Sequence, residues 1–400
     1  MECLSLTSPQ TQTELGDFLT NVVRPTKKAP ASQAHNHHKV AVVAIAAVLF
    51  TVLGCDPYLG KEVKPQTIQT SEERAIEYLK NRGVSFQRHD AKTLLVEVEP
   101  FWVATISGGR VNDADIELLQ EVKDLEVLDI SSCSVSDNGL AIIGQLKKLK
   151  MLTVSELKIM NRGIEELTHL EKLEKLSLNR LRNIGDRAFG RFWRFHNLKE
   201  LHLRELPISD EACDHLKRMK RLEILYLWKM QVGDDGCAYL AEMPALTGLY
   251  LDWTAVGNKG VELLSRSTSL RSLGLNHTMV DDEGLAFISA FKKLTTLGLR
   301  GTQITDAGLK YLSKTELTSL NLSHTEITDA GLKELSKMPL KGLWLNGNRR
   351  ITDEGIRHLQ NIKTLKRLTL DNRMNEVTEE AVRRLKAVLP DCQIDFNVTL

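Results

Sequence analysis

Four kinds of side chain in this sequence could do chemistry: a histidine cluster, a recurring acid, six cysteines and a group of large aromatics. The cluster "HNHHK" holds His35, His37 and His38, a donor type that binds metals, but no partner ligands stand nearby. It reads as a solvated basic tail. The acids Asp137, Asp210, Asp234, Asp282, Asp306, Asp329 and Asp353 recur at one slot of a regular pattern. That regularity points to helix starts, where a carboxylate suits free N–H groups and the helix dipole, rather than to calcium or acid–base work. Cys3, Cys55, Cys133, Cys213, Cys237 and Cys392 show no C-x-x-C spacing and no histidines paired at zinc-finger distance. Neither a zinc site nor a disulfide framework is expected. Cys213 and Cys237 fill a slot held elsewhere by Leu309 or Leu332 and read as buried packing, with a disulfide between them open only to an exported chain. The sequence has no G-x-S-x-G, P-loop, H-E-x-x-H or dinucleotide fingerprint, so no enzyme activity, cofactor or metal is expected.

The aromatics carry the stronger signal. Tyr226, Trp228, Tyr250 and Trp253 come close together, preceded by His202 and Arg204 and accompanied by Asp252, Asn276, His277 and Arg300, with Trp344 further on. Trp, Tyr and Arg are the residues enriched where proteins grip partners. Gly274 and Gly298 beside them lack side chains, which predicts an open floor. A competing reading has Tyr226 and Tyr250 stacking only as a cross-strand ladder while the tryptophans shield an edge.

What positions these residues is a beat. The phrase L-x-x-L-x-L begins at Leu125, Leu149, Leu173, Leu198, Leu222, Leu246, Leu270, Leu294, Leu317, Leu340 and Leu365, at intervals of 23 to 25 residues. Phe101, Ala104 and Ile106 fit the same slots one period earlier, and "CQIDF" supplies a closing strand. Alternate strand residues share a face, so the leucines point inward and the residues between them outward. One outward column runs Asp129, Thr153, Ser177, His202, Tyr226, Tyr250, Gly274, Gly298, Asn321, Trp344, Thr369; the next includes Arg204, Trp228, Asp252, Asn276 and Arg300. After each strand a segment such as "ITDAGL" starts a helix, with Gly308 or its counterparts held small by close packing. No single unit can bury its own apolar face, so the units must stack.

The segments "LTTLGLRGTQITDAGLKYLSK" and "LTSLNLSHTEITDAGLKELSK" resemble the roughly 24-residue leucine-rich repeats of bacterial and ribonuclease-inhibitor-like proteins. The resemblance implies an α/β solenoid, a horseshoe with a concave parallel β-sheet and convex α-helices, and recognition of a protein partner. Where that family often has Asn after the strand, this chain has Thr254, Thr278, Thr302 and Thr325, with Asn only at Asn348. Hydroxyls must then replace the amide. Twelve repeats are expected over 101–388, a closing strand in 389–400, and a cap over 71–100 made of a helix from Ser71 and Glu72 followed by two strands.

Before the cap the pattern changes. "VAVVAIAAVLFTVLGC", Val40 to Cys55, is uncharged and follows Lys27, Lys28 and Lys39. A basic flank and a short apolar core suit a secretion signal, and "VLGC" resembles the lipobox of bacterial lipoproteins, which would make Cys55 a lipidated anchor. An uncleaved membrane anchor and a buried segment stay open. Residues 1–39 read as a disordered extension, or the true start lies near Val22; 56–70 read as a tether. The expected location is the cell envelope, or the cytoplasm if the signal is unused. With 42% hydrophobic and 26% charged residues and a net charge of +1, composition gives no case for nucleic acid. The function expected is a monomeric, non-catalytic binding module for protein, with a glycan or an intracellular regulatory role as alternatives.

Overall fold

A computed structural model of the chain describes residues 70–89, 99–371 and 376–396. The expected extension, the Val40 to Cys55 segment, Cys55 itself and nearly all of the tether lie outside them. Among the described residues, fourteen strands form one sheet in sequence order. The first, Val84–His89, runs antiparallel to Phe101–Ser107; every later neighbour is parallel, through to Arg367–Leu370 beside Gln393–Phe396. This is a leucine-rich-repeat solenoid, with the strands on one side and short helices such as Asp306–Leu312 on the other. Between the layers runs a continuous core of leucines, among them Leu225, Leu227, Leu249 and Leu251, none of them exposed.

At the cap, the helix Ser71–Asn81 is started by Thr70 rather than Ser71. Thr70 accepts from the Glu73 N–H while the Glu73 carboxylate accepts from Thr70 N–H, satisfying two free donors at once. One cap strand, Val84–His89, is described, and the second expected strand falls on residues 90–98, outside the described set.

The recurring aspartates do something different from the expected capping. Thr305 caps its own helix by accepting from Ala307 N–H. Asp306 instead reaches into the next rung, where its carboxylate accepts from both the N–H and the hydroxyl of Thr328 at 2.8 and 2.6 Å. The same N–H bond, 2.7 to 3.1 Å long, links each helix start from Asp113 to Asp353 with the rung after it, Asn161 and Asn258 serving in two places. The neighbouring glycines follow from this. A methyl group on Gly163 or Gly236 would stand 2.5 Å from the carboxylate oxygen of Asp137 or Asp210 in the rung before. The close packing expected at this slot is therefore packing against the preceding rung's acid.

The threonines after each strand also act locally. Thr254, Thr278, Thr302 and Thr325 donate to the carbonyls of Leu251, Leu275, Leu299 and Leu322, three residues back, at 2.6 to 2.7 Å. Asn348, having two amide hydrogens, reaches both its own rung at Leu345 and the previous one at Leu322. Cys213 and Cys237 are buried free thiols, and burial pushes both well above the ordinary thiol range. Cys392 is also a buried free thiol, and Cys133 a half-buried one.

Gly236→Ala should destabilise the fold by about 1–3 kcal/mol through overpacking, although Gly→Ala inside a helix ordinarily gains about 1 kcal/mol. Asp210→Ala should cost a similar amount by leaving the Gly233 N–H without its 2.8 Å partner. The double variant should lose less than the sum of the two, because removing the carboxylate makes room for the methyl. Urea denaturation followed by circular dichroism reads all three, and strictly additive losses would refute the clash.

Candidate recognition surface

The strand pairing sets the outward residues in rows. His202, Tyr226, Tyr250 and Gly274 occupy one register, while Arg204 and Trp228 share the next. A further row, Lys175, Glu200, Ile224 and Gly248, also faces outward; it lies between the first and second leucines of the phrase, outside the two columns that the sequence pattern marks. It matters because Glu200 sits under the aromatics. Its carboxylate accepts from His202 Nε2 at 2.5 Å and from Lys175 Nζ at 3.0 Å. Burial pushes that carboxyl up, yet His202 and Lys175 together hold it below its usual range.

Two aromatic groups result. In the first, the rings of His202, Tyr226 and Tyr250 stack at successive centroid distances of 4.2 Å, the tyrosines within 5° of parallel. Desolvation, followed by the proximity of Tyr250, pushes the Tyr226 hydroxyl up to about 12. Tyr250 then lies over Gly274, where an added methyl would come within 2.7 Å of its ring, and Asn276 covers Gly298 in the same way at 2.9 Å. The open floor expected at these glycines is thus absent: the glycines are bare because neighbouring side chains roof them.

The second group stands at the sheet edge. Arg204 lies 4.1 Å over the ring of Trp228, with Lys229 further out at 5.7 Å, and Trp253 stacks on His277 at 4.0 Å. Trp253 and His277 belong to a column that periodicity alone does not single out. After each strand the chain turns through a left-handed residue: Ser132, Glu156, Arg180, Glu205, Lys229, Trp253, His277 and His324 all have φ between 50° and 60°, and Gly301 and Gly347 fill the same place. The turn is imposed by hydrogen bonding. From Glu156 to His324 the N–H of this residue donates to a carbonyl of the next rung, as Trp253 does to Asn276 at 2.9 Å and His277 to Arg300 at 2.7 Å. A left-handed conformation costs a non-glycine residue roughly 1–2 kcal/mol.

Other expected site residues have structural duties. Both Asp252 oxygens accept from Asn276, one from its backbone N–H and one from its amide, each at 3.0 Å, and the Asn276 oxygen accepts from Arg300 N–H at 2.8 Å. Arg300 lies near both His277 and His324. Burial first and Arg300 second hold both imidazoles below their ordinary value. Trp344 is separate from the cluster. It lies back over Gly342 in its own strand, four strand spacings from Tyr250, or roughly 19 Å at ~4.8 Å each. Among the described residues, no group of three or more His, Cys, Asp or Glu side chains could hold a metal, and no helix is long and apolar enough to cross a membrane.

The leucine-rich-repeat family model matches residues 123–143, 292–313 and 314–336. The rungs within those stretches are leucine-rich repeats by sequence. No curated protein sequence matches the chain. Among solved structures, an internalin of Listeria monocytogenes aligns with a TM-score of 0.51 at 22% identity, over 75% of this chain and 86% of that one. A leucine-rich-repeat protein of Leptospira interrogans gives 0.42 at 19% identity over 70% and 80%. A chain of the yeast Rad7–Elc1 complex gives 0.44 at 17% identity, over 98% of this chain and 98% of that one. The internalin likeness is one of fold.

His277 should titrate below its ordinary value of 6.5 in the imidazole resonances of an NMR pH series. Arg300→Ala should raise it by removing a neighbouring positive charge, and no movement would show that burial acts alone. The folded chain resists protonating His277 and His324, so more protons bind when it unfolds. Their contribution to stability is therefore full above about pH 6.5 and is lost as pH falls through the depressed folded values.

Proposed function

We propose that this leucine-rich-repeat scaffold is a non-catalytic binding module. It recognises a protein partner through the surface running from His202 and Arg204, across Tyr226, Trp228 and Tyr250, to Trp253 and His277. One observation carries the reading. Trp253 occupies a left-handed turn that glycine fills in two other rungs, and it is 50% exposed. Folding gains little from a large aromatic there, because the turn disfavours it, the stack on His277 offsets only part of that cost, and half of its surface stays in water. A partner that covers Trp253 gives the residue its purpose, since buried tryptophan anchors contribute about 2 kcal/mol or more to an interface.

A protein fits this surface better than a glycan. Sugars stack on free aromatic faces, whereas Tyr226 lies between His202 and Tyr250, and Trp228 carries Arg204. The tyrosines offer edges and hydroxyls, which suit the mixed contacts of a protein interface. The apolar, uncharged stretch from Val40 to Cys55 supports a further part of the proposal, that the module is exported and held at a membrane through a lipid on Cys55.

Capture of a protein partner by the full chain should fall at least about tenfold with Trp228→Ala combined with Trp253→Gly. The second change installs the residue already tolerated at Gly301 and Gly347, so folding should be unaffected. Undiminished capture by the double variant would sink the proposal. Separately, cell fractionation should find the native chain with membranes and Cys55→Ala released from them. A native chain that stays soluble would remove the anchor and leave the binding surface untouched.

A further inference from the structure

A hollow of about 750 Å³ lies along the left-handed-turn edge, lined by Glu156, Lys158, Arg180, Arg182 and Glu205 among others. A second, of about 380 Å³, shares Arg182 and Glu205 with it and continues to Pro207, Lys229, Met230 and Trp253. The two form one cleft whose far end is the tryptophan of the proposed surface.

The charges in this cleft are not balanced. Four cations, Lys158, Arg180, Arg182 and Lys229, line it against two carboxylates. Both carboxylates are already engaged. Arg180 bridges Glu156 at 2.8 Å and Glu205 at 3.2 Å, and Glu205 also faces Arg204 and Lys229 at 3.5 and 3.8 Å. Lys158 and Arg182 are exposed and form no ion pair with any described carboxylate. Arg182 acts on Glu156 only from a distance, reinforcing the bonds from Arg180 and Ser132 that hold that carboxyl low. Of the unpaired cations, Lys158 therefore lies in the first hollow and Arg182 where the two meet, while Pro207, Met230 and Trp253 give the second an apolar wall beside Lys229.

We infer that this cleft takes an extended acidic segment of the partner protein, with its carboxylates against Lys158 and Arg182 and an apolar side chain against Trp253. The inference rests on the recognition reading above and names the chemistry of the partner. From the rung of Glu156 to that of Trp253 there are four strand spacings, roughly 19 Å, which about six extended residues would span. A nucleic acid or an anionic bilayer fits less well. Glu156 and Glu205 interrupt the row of cations, which suits a few spaced carboxylates better than the unbroken row of phosphates that either ligand presents.

The test is selection of phage-displayed peptides of about six random residues on the immobilised full chain, then on Lys158→Glu/Arg182→Glu. Both positions are exposed and unpaired among the described residues, so the variant should keep the native circular dichroism spectrum. Selected peptides should combine Asp or Glu with a large apolar residue, bind the native chain at least about tenfold more tightly than the variant, and weaken as salt is added. The inference is overturned if nothing is enriched, if enriched peptides lack acids, if they bind both chains equally, or if a short single-stranded oligonucleotide binds better than they do. Peptides lost with Trp228→Ala but indifferent to charge reversal would remove the edge cleft while leaving recognition at the concave face intact.

Discussion

Each rung is locked to the next by a carboxylate or amide oxygen that accepts the first free N–H of the following turn. That bond fixes the phase of the stack. It satisfies a donor which helix geometry leaves without a partner, and it occupies the space where a Cβ would stand, so the slot two residues after the following acid is closed to all but small side chains. With the helical side pinned in this way, the strands fall into register with no room for slippage. A one-residue slip would turn every inward leucine outward. The rows of side chains on the concave face are thus set by contacts on the opposite side of the rung.

The same economy of backbone produces the left-handed turns. The chain must leave the strand sharply while its N–H still reaches the next rung, and one residue per rung adopts φ near +55° to do so. Glycine or asparagine would be the least costly choice. Where the sequence instead places Glu156, Arg180, Glu205 and Lys229, ion pairs between successive rungs offset part of that cost. At Trp253 and His277 a ring stack takes their place. The backbone is constant along this edge, so differences between rungs express side-chain chemistry alone.

Much of this was legible in the sequence because the repeat supplies its own alignment. Eleven occurrences of one phrase placed the inward leucines, and the columns through Tyr226 and Trp228 match the strand pairing. What escaped notice shares one cause: it depends on a neighbouring rung. Asp306 looks like a cap when only its own helix is considered, since its partner Thr328 is 22 residues further on. Gly274 looks like a gap until Tyr250 is seen to lean across it. Glu200 lies ahead of the last two leucines of the phrase, where the pattern does not mark it, and its importance comes from Lys175 and His202 beside it. The positive φ of Trp253 has no local signal at all, as neither glycine nor asparagine marks the turn.

The stacked arrangement also bears on how such a surface would bind. Long side chains lose rotamer freedom when a partner immobilises them, which weakens association by about 0.5–1.5 kcal/mol each. Here His202, Tyr226 and Tyr250 are already held by one another, Arg204 lies on Trp228, and Trp253 lies on His277. Much of that ordering cost has been met during folding. A rigid scaffold carrying aromatics fixed in this way suits a partner that meets a preformed shape. The exposed cations Lys158 and Arg182, which have no such restraint, are suited to steering an oppositely charged chain toward it.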